Sequence, residues 1–251
     1  MIIELNLPTP RRLTSVLMTI ILALLALSLV GQFSRLELGY DTVKGLVPMF
    51  FVDYESNIPT WYSSMALMLA SVLAGFLALT SKRVAKENVI YWAGIWLLFM
   101  LLSLDEIVGI HERAIEPLNE IYDFTGFLGY SWVILGAIAV AIFTALFLRF
   151  VLRQRPFVRN LIILSGVVFV GGAIGVEMIS AWIDAQRGLE NWQYVIAVTI
   201  EEGCEMTGVA IFIHALMLVL HDQIEKIHLS MYAEGRLITR TPLQESITAV
   251  V

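Results

Sequence analysis

Apolar runs of about 20 residues recur along the whole chain, and each can cross a hydrocarbon layer roughly 30 Å thick at 1.5 Å per residue. Six are read: Leu13 to Gly31, Trp61 to Thr80, Val89 to His111, Gly129 to Val151, Asn160 to Ile183 and Gln193 to His221. Of the 251 residues 58% are hydrophobic and 15% charged, more apolar surface than a soluble core hides. The expected fold is therefore all-α: a polytopic membrane bundle over 1–221 and a polar tail over 222–251, with an amphipathic stretch near His221 to Tyr232. The first run has no small-x-small cleavage pattern at its end, so it is expected to remain as an anchor. Between it and the second run, Pro48 and Pro59 break a mixed segment whose apolar patch, Leu46 to Val52, is too short to span and is expected at the interface.

Basic residues in short loops resist translocation and set orientation. Arg11, Arg12, Lys82, Arg83, Lys86, Arg149, Arg153, Arg155, Arg159, Lys226, Arg236 and Arg240 fall on one side; Arg35, Lys44, Arg113 and Arg187 fall on the other. Twelve against four places both termini in the cytoplasm and segments 32–60, 112–128 and 184–192 outside. Trp61, Tyr62, Tyr130, Trp132, Trp182, Trp192 and Tyr194 then gather at the outer interface, where amphipathic rings prefer to sit. A net charge of −6 and the lack of a basic stripe argue against nucleic acid. The single cysteine, Cys204, excludes an internal disulfide framework and Cys-rich metal sites.

Acids sit where they should not. The third span ends Ser103-Leu104-Asp105-Glu106-Ile107-Val108-Gly109-Ile110-His111-Glu112, the fifth carries Glu177, and the sixth carries Glu201, Glu202 and Glu205. A charge near the bilayer centre costs at least ~2.5–3.5 kcal/mol, so each needs a partner, a cavity or a cation. Counted along the spans, all three helices bring their acids to neighbouring depths in the outer half. At about 100° per residue the three sixth-span acids share one face, and Asp105 nearly eclipses Glu112. His111 points about 120° away from Asp105 and joins the site only if the helix unwinds near Gly109. Glu177 shares its face with Asp184, which is expected to mark the mouth.

No Lys or Arg inside the membrane neutralises these seven carboxylates, which leaves protons or metal ions. A hydrogen-bonded network of protonated acids is the purely structural alternative. Carboxylates with one imidazole favour Fe, Mn, Mg or Ca over zinc. The expected ligands are Asp105, Glu106, His111, Glu112, Glu177, Glu201, Glu202 and Glu205. The pattern departs from di-iron carboxylate bundles: Glu202 and Glu205 have the Glu-x-x-His spacing, but a Glu replaces the His. Bis-histidine haem is disfavoured because His111 and His214 lie at different depths; His214 reads as a packing or hydrogen-bonding residue, and His221 and His228 as solvated. Before the second span, Asp53, Glu55 and Asn57 join Asp184 as rim candidates, and Asn57 or Ile58 is expected to cap a helix opened by Pro59.

The stretches Asn57-Ile58-Pro59-Thr60-Trp61, Ser103-Leu104-Asp105-Glu106 with His111-Glu112, and Glu201-Glu202 with Glu205 resemble those of a group of uncharacterised bacterial six-helix integral membrane proteins. The resemblance covers most of the chain and implies a fold size without an activity. The residues point to an inner-membrane protein with a metal site facing the outer, periplasmic side; if it is an enzyme, the metal would activate water or dioxygen against a lipid-like substrate. A cation- or proton-coupled transporter using the same acids and an accessory subunit of a larger assembly, or a homo-oligomer, stay open beside it. Below Glu205 the same face shows Gly208, Phe212 and Leu216, which reads as dry and favours a site open at one end.

Overall fold

The computed structural model describes residues 8–121 and 124–233, the last eight as backbone alone. Among the described residues ten α-helices run in order: α1 (Pro10–Leu36), α2 (Leu46–Phe50), α3 (Ile58–Val84), α4 (Val89–Val108), α5 (Ile110–Arg113), α6 (Ile115–Ile121), α7 (Trp132–Leu152), α8 (Pro156–Val170), α9 (Glu177–Arg187) and α10 (Trp192–Ala233). A π-helical segment, Gly171–Val176, joins α8 to α9 without a loop. There is no strand among the described residues, so the chain is all-α. Six stretches are long and apolar enough to cross a membrane: α1, α3, α4 with its leading turn, α7, the α8–α9 unit, and α10 to Glu225.

Local chemistry sets the boundaries. Thr9 caps α1 by accepting the Arg12 N–H at 3.4 Å, with Pro10 in the first turn. Asn57 caps α3 by accepting the Thr60 N–H at 3.1 Å, as its position before Pro59 predicts. Pro156 opens α8. The third span ends at Val108, three residues short of the expected His111, because Gly109 takes the left-handed conformation at φ 62 and ψ 47. The last span continues past His221 to Ala233, so the first part of the expected tail is helix; expectations for 234–251 lie outside the described residues.

The long α10 lies at the centre, packed on α1, α3, α8, the π segment and α9. The main core joins Ile21 of α1, Ala70 and Leu77 of α3, Trp92 of α4 and Ile213 and Leu216 of α10, all nearly inaccessible. Small side chains bring the helices close, as membrane packing requires. On α3, Ala66, Ala70, Ala74 and Ala78 repeat every four residues and are buried. Across α3 and α4, the Ser64 hydroxyl donates to the Ser103 carbonyl at 2.9 Å and Ser71 to that of Trp96 at 2.8 Å. His214 sits against Thr14, ring nitrogen to hydroxyl 2.8 Å, the hydrogen-bonding role expected of it.

The segment between α1 and α3 does not rest on the surface of the bundle. Val47, Phe51 and Val52 are almost fully buried, and the Val52 N–H donates to the Ser28 hydroxyl at 3.2 Å. Ser28 lies eight residues before the end of α1, so the chain dips roughly 12 Å below that end at 1.5 Å per residue. Asn57 holds the returning strand: its amide donates to Phe51 O at 2.6 Å and Pro48 O at 3.3 Å. Replacing Asn57 by Ala removes a cap and leaves buried carbonyls without donors, so it should cost about 2 kcal/mol. Thermal unfolding in detergent should show this as a lowered transition, partly recovered by Asn57→Asp, which keeps the capping oxygen.

Candidate metal centre at the acidic end

The dipping segment delivers Asp53 and Glu55 to the helix ends. Asp53 accepts from the Tyr194 hydroxyl of α10 at 2.9 Å. Glu55 lies against the break in α4: a Cβ on Gly109 would sit 2.5 Å from Glu55 Oε2 and 2.8 Å from Oε1. Gly109 thus serves two needs at once, a positive φ and an approach too close for any side chain. Asn57, expected at the rim, has both ends of its amide engaged with backbone and offers no ligand.

The break turns the chain back on Asp105. The His111 N–H donates to Asp105 Oδ1 at 3.0 Å, and His111 Nδ1 lies 2.9 Å from Oδ2. In an unbroken helix the two side chains would diverge, so Gly109 creates the pair, which is the unwinding that the sequence required. Glu55, His111 and Glu112 then each present a ligand atom, all within 4.8 Å of one another. With Nδ1 held by Asp105, Nε2 is the nitrogen left to face a cation, the arrangement in which a carboxylate orients a metal-binding histidine.

Deeper in the bundle the other acids meet around α10. Glu177, the first residue after the π segment, accepts from Trp132 Nε1 at 2.8 Å. Glu201 is 7% exposed, accepts from the Ser180 hydroxyl at 2.8 Å and has Glu177 as a close acidic neighbour. Glu202 and Glu205 are half-buried and share the electrostatic surroundings of Glu106 and Glu177. Glu106 shares the electrostatic surroundings of His111, Asp105, Glu55 and Glu112. The close approach of the π segment closes this side: a Cβ on Gly172 would meet the Glu201 carbonyl at 2.7 Å and Glu205 Cγ at 3.3 Å.

Below the acids the bundle is apolar. Phe99 of α4 stacks on Phe212 of α10 with centroids 4.6 Å apart and planes 7° from parallel, each seven residues from Glu106 and Glu205. Leu216 follows at 0% exposure, and Gly208 packs on the Phe169 backbone. The other side opens into a cleft of about 930 Å³ lined by residues that include Asp53, Glu55 and Glu112.

The sequence missed the neutral donors. Tyr130, Trp132, Trp192 and Tyr194 read as an interfacial belt, but their polar tips reach carboxylates: Tyr130 to Asp184 at 3.0 Å, Trp132 to Glu177, Trp192 to Glu37 at 2.6 Å and Tyr194 to Asp53. Asp184, expected at the mouth, is therefore held by Tyr130. Tyr62 donates to the Leu17 carbonyl at 3.3 Å, while Trp61, 64% exposed, faces outward as a belt residue does. Aromatic residues within two places of a helix start, in a chain whose buried acids lack basic partners, were the available signal. Ion pairs of Arg35 with Glu190 and Arg155 with Asp222 stand outside the cluster, at opposite ends of the bundle.

Over residues 15–220 the chain matches the family described as Domain of unknown function, DUF8692. It belongs to that family. No curated protein and no solved structure matches the chain. For this DUF8692 member the site must be read from its own electrostatics. Burial, with Glu177, Glu112 and Asp184 nearby, pushes the Asp53 carboxyl up to about 6 against the Tyr194 bond. Burial and Glu112 also raise Glu55. For His111 burial opposes charge, but the Asp105 bond and the surrounding carboxylates prevail and raise it to about 9.

A carboxyl raised in the folded state stabilises below its unfolded value and loses that contribution as pH rises through the folded one; a raised imidazole behaves likewise. The metal-free protein should therefore lose stability in two windows, from about 4 to about 6 for Asp53 and from about 6.5 to about 9 for His111. Melting curves across pH should lose the upper window in Asp105→Asn and keep the lower one. A flat profile above pH 6.5 in the parent would contradict a charged His111.

Proposed function

We propose that this chain is a multi-pass protein of the bacterial inner membrane, with both termini in the cytoplasm, that holds a divalent metal at its outer, acidic end and uses it on a lipid-like substrate. The observation that carries the reading is the convergence of Glu55, His111 and Glu112 within 4.8 Å, with Asp105 behind the histidine. Two carboxylates and one imidazole suit Fe, Mn, Mg or Ca ahead of zinc, and exposed Glu112 leaves a side for a further ligand. Glu55, His111 and Glu112 would hold the metal, which when bound would supply Lewis acidity at this end of the bundle. Asp105 would fix the histidine tautomer, Glu55 and Glu112 would supply negative charge, and Trp132 and Ser180 hold the Glu177 and Glu201 carboxyls in place behind them. Glu106, Glu202 and Glu205 complete the negative lining. Lipids are the partners such a site would meet, since the acids lie beside exposed apolar surface such as Leu104 and Ile107.

The transporter alternative needs a polar route to the opposite end. The Phe99–Phe212 stack and fully buried Ile213 and Leu216 favour a site open at one end only. Membership in a larger assembly or a homo-oligomer is compatible with the exposed face of α7 but has no contact of its own to support it.

Metal analysis of protein purified in nanodiscs, followed by Mn²⁺ titration, tests the reading. The parent should bind about one ion, and His111→Ala or Glu55→Gln with Glu112→Gln should weaken it by about tenfold or more. Stoichiometric absence of metal with no Mn²⁺ binding at any pH would end it. Mn²⁺ flux in proteoliposomes that vanishes in Glu205→Gln would move the assignment to transport. Orientation is tested by single cysteines at Ser56 and Gln154 in a Cys204→Ser background: only the former should react with an impermeant reagent added outside.

A further inference from the structure

Trp132 opens α7, where an indole ordinarily reaches sideways into the headgroup region. Here the ring folds down over its own helix. A Cβ on Gly136, one turn further on, would meet Trp132 Cζ3 at 2.8 Å and Cε3 at 3.3 Å, so the ring lies in the space that the missing side chain leaves. In that position one face approaches His111, with centroids 4.9 Å apart and planes tilted by 58°. The single N–H donates to Glu177 Oε1 at 2.8 Å. The start of the helix is itself fixed, because Ser131, fully buried, donates to the Ile115 carbonyl of α6 at 3.2 Å.

One rigid side chain therefore touches both layers of the site: the extramembrane histidine and the carboxyl pair inside the bundle. We infer that Trp132 is the positioning residue that couples the outer Glu55–His111–Glu112 trio to the Glu177–Glu201 pair, with Gly136 as the residue that permits its pose. The inference deepens the metal reading and rests on it. An indole N–H can donate and cannot accept, so it holds one Glu177 oxygen in place and leaves the remaining lone pairs to Glu201. With His111 fixed on Asp105, the indole plate between the His111 ring and the Glu177 oxygen would tie a change of charge at the trio to the strength of the Glu177 bond. Ser180, donating to Glu201, anchors the far member of the pair.

The test compares Mn²⁺ titrations with infrared difference spectra of the carboxyl region in nanodisc-embedded protein. The band of the Glu177–Glu201 pair is identified by its loss in Glu201→Gln. In the parent, Mn²⁺ should bind and shift that band. Trp132→Phe, which keeps a ring but has no donor, should weaken Mn²⁺ by about tenfold and leave the band unresponsive; Gly136→Ala, which keeps the donor but displaces the ring, should do the same. A parent that binds no Mn²⁺ removes the underlying metal reading. A parent that binds Mn²⁺ without any band shift overturns the coupling while the metal site stands, and this holds even where a variant fails to fold. Unchanged affinity together with an unchanged band response in Trp132→Phe overturns the role of Trp132 specifically.

Discussion

The architecture depends on keeping carboxyl groups inside an apolar bundle without basic side chains beside them. Each such group must find a donor, share a proton or face a cation. The chain uses a mixture. Tyr130, Trp132, Ser180 and Tyr194 donate to Asp184, Glu177, Glu201 and Asp53 from three helices and the segment that leads into α7. Those bonds also tie the helix ends together, so the need to satisfy the acids and the need to hold α7, α9, α10 and the dipping segment in register are met by the same contacts. What the neutral donors leave over, at Glu106, Glu202, Glu205 and the outer trio, is where a cation would be most favourable.

Much of the fold was legible because it follows from hydrophobic run length, and run length is one-dimensional. The six spans and the gathering of acids at one end came from counting residues along helices. So did the requirement that the chain unwind near Gly109 for His111 to reach Asp105, since the 100° step makes the mismatch visible. The dip of residues 46–57 was not legible: a seven-residue apolar patch reads the same whether it lies on a surface or packs on Ser28 and Gly31. Asn57 shows the same limit, because a cap residue and a rim ligand are the same letter in the same place. The donor role of the aromatics was hidden for a different reason. Depth alone predicts an interfacial ring, and whether its polar tip meets water or a carboxylate depends on rotation about helices whose neighbours the sequence does not specify.

The two layers of the site differ in physical character. The outer trio borders an open cleft, where ions can exchange with water and hard oxygen ligands can be completed from solvent. The inner acids lie above an aromatic floor in a region with few competing dipoles, where every donor they find counts for more than it would in water.

The π segment has a consequence for how α9 is governed. Relative to a regular helix, such a bulge amounts to one additional residue, a turn of about 100° and an advance of about 1.5 Å for everything that follows. Glu177, Ser180 and Asp184 all lie downstream of it, and each meets a partner on a different element. Smoothing Gly171–Val176 into ordinary helix would rotate that trio together, like a key withdrawn from three wards of a lock. Their alignment is thus a single mechanical setting, fixed by a short glycine-rich stretch that contributes no functional group itself.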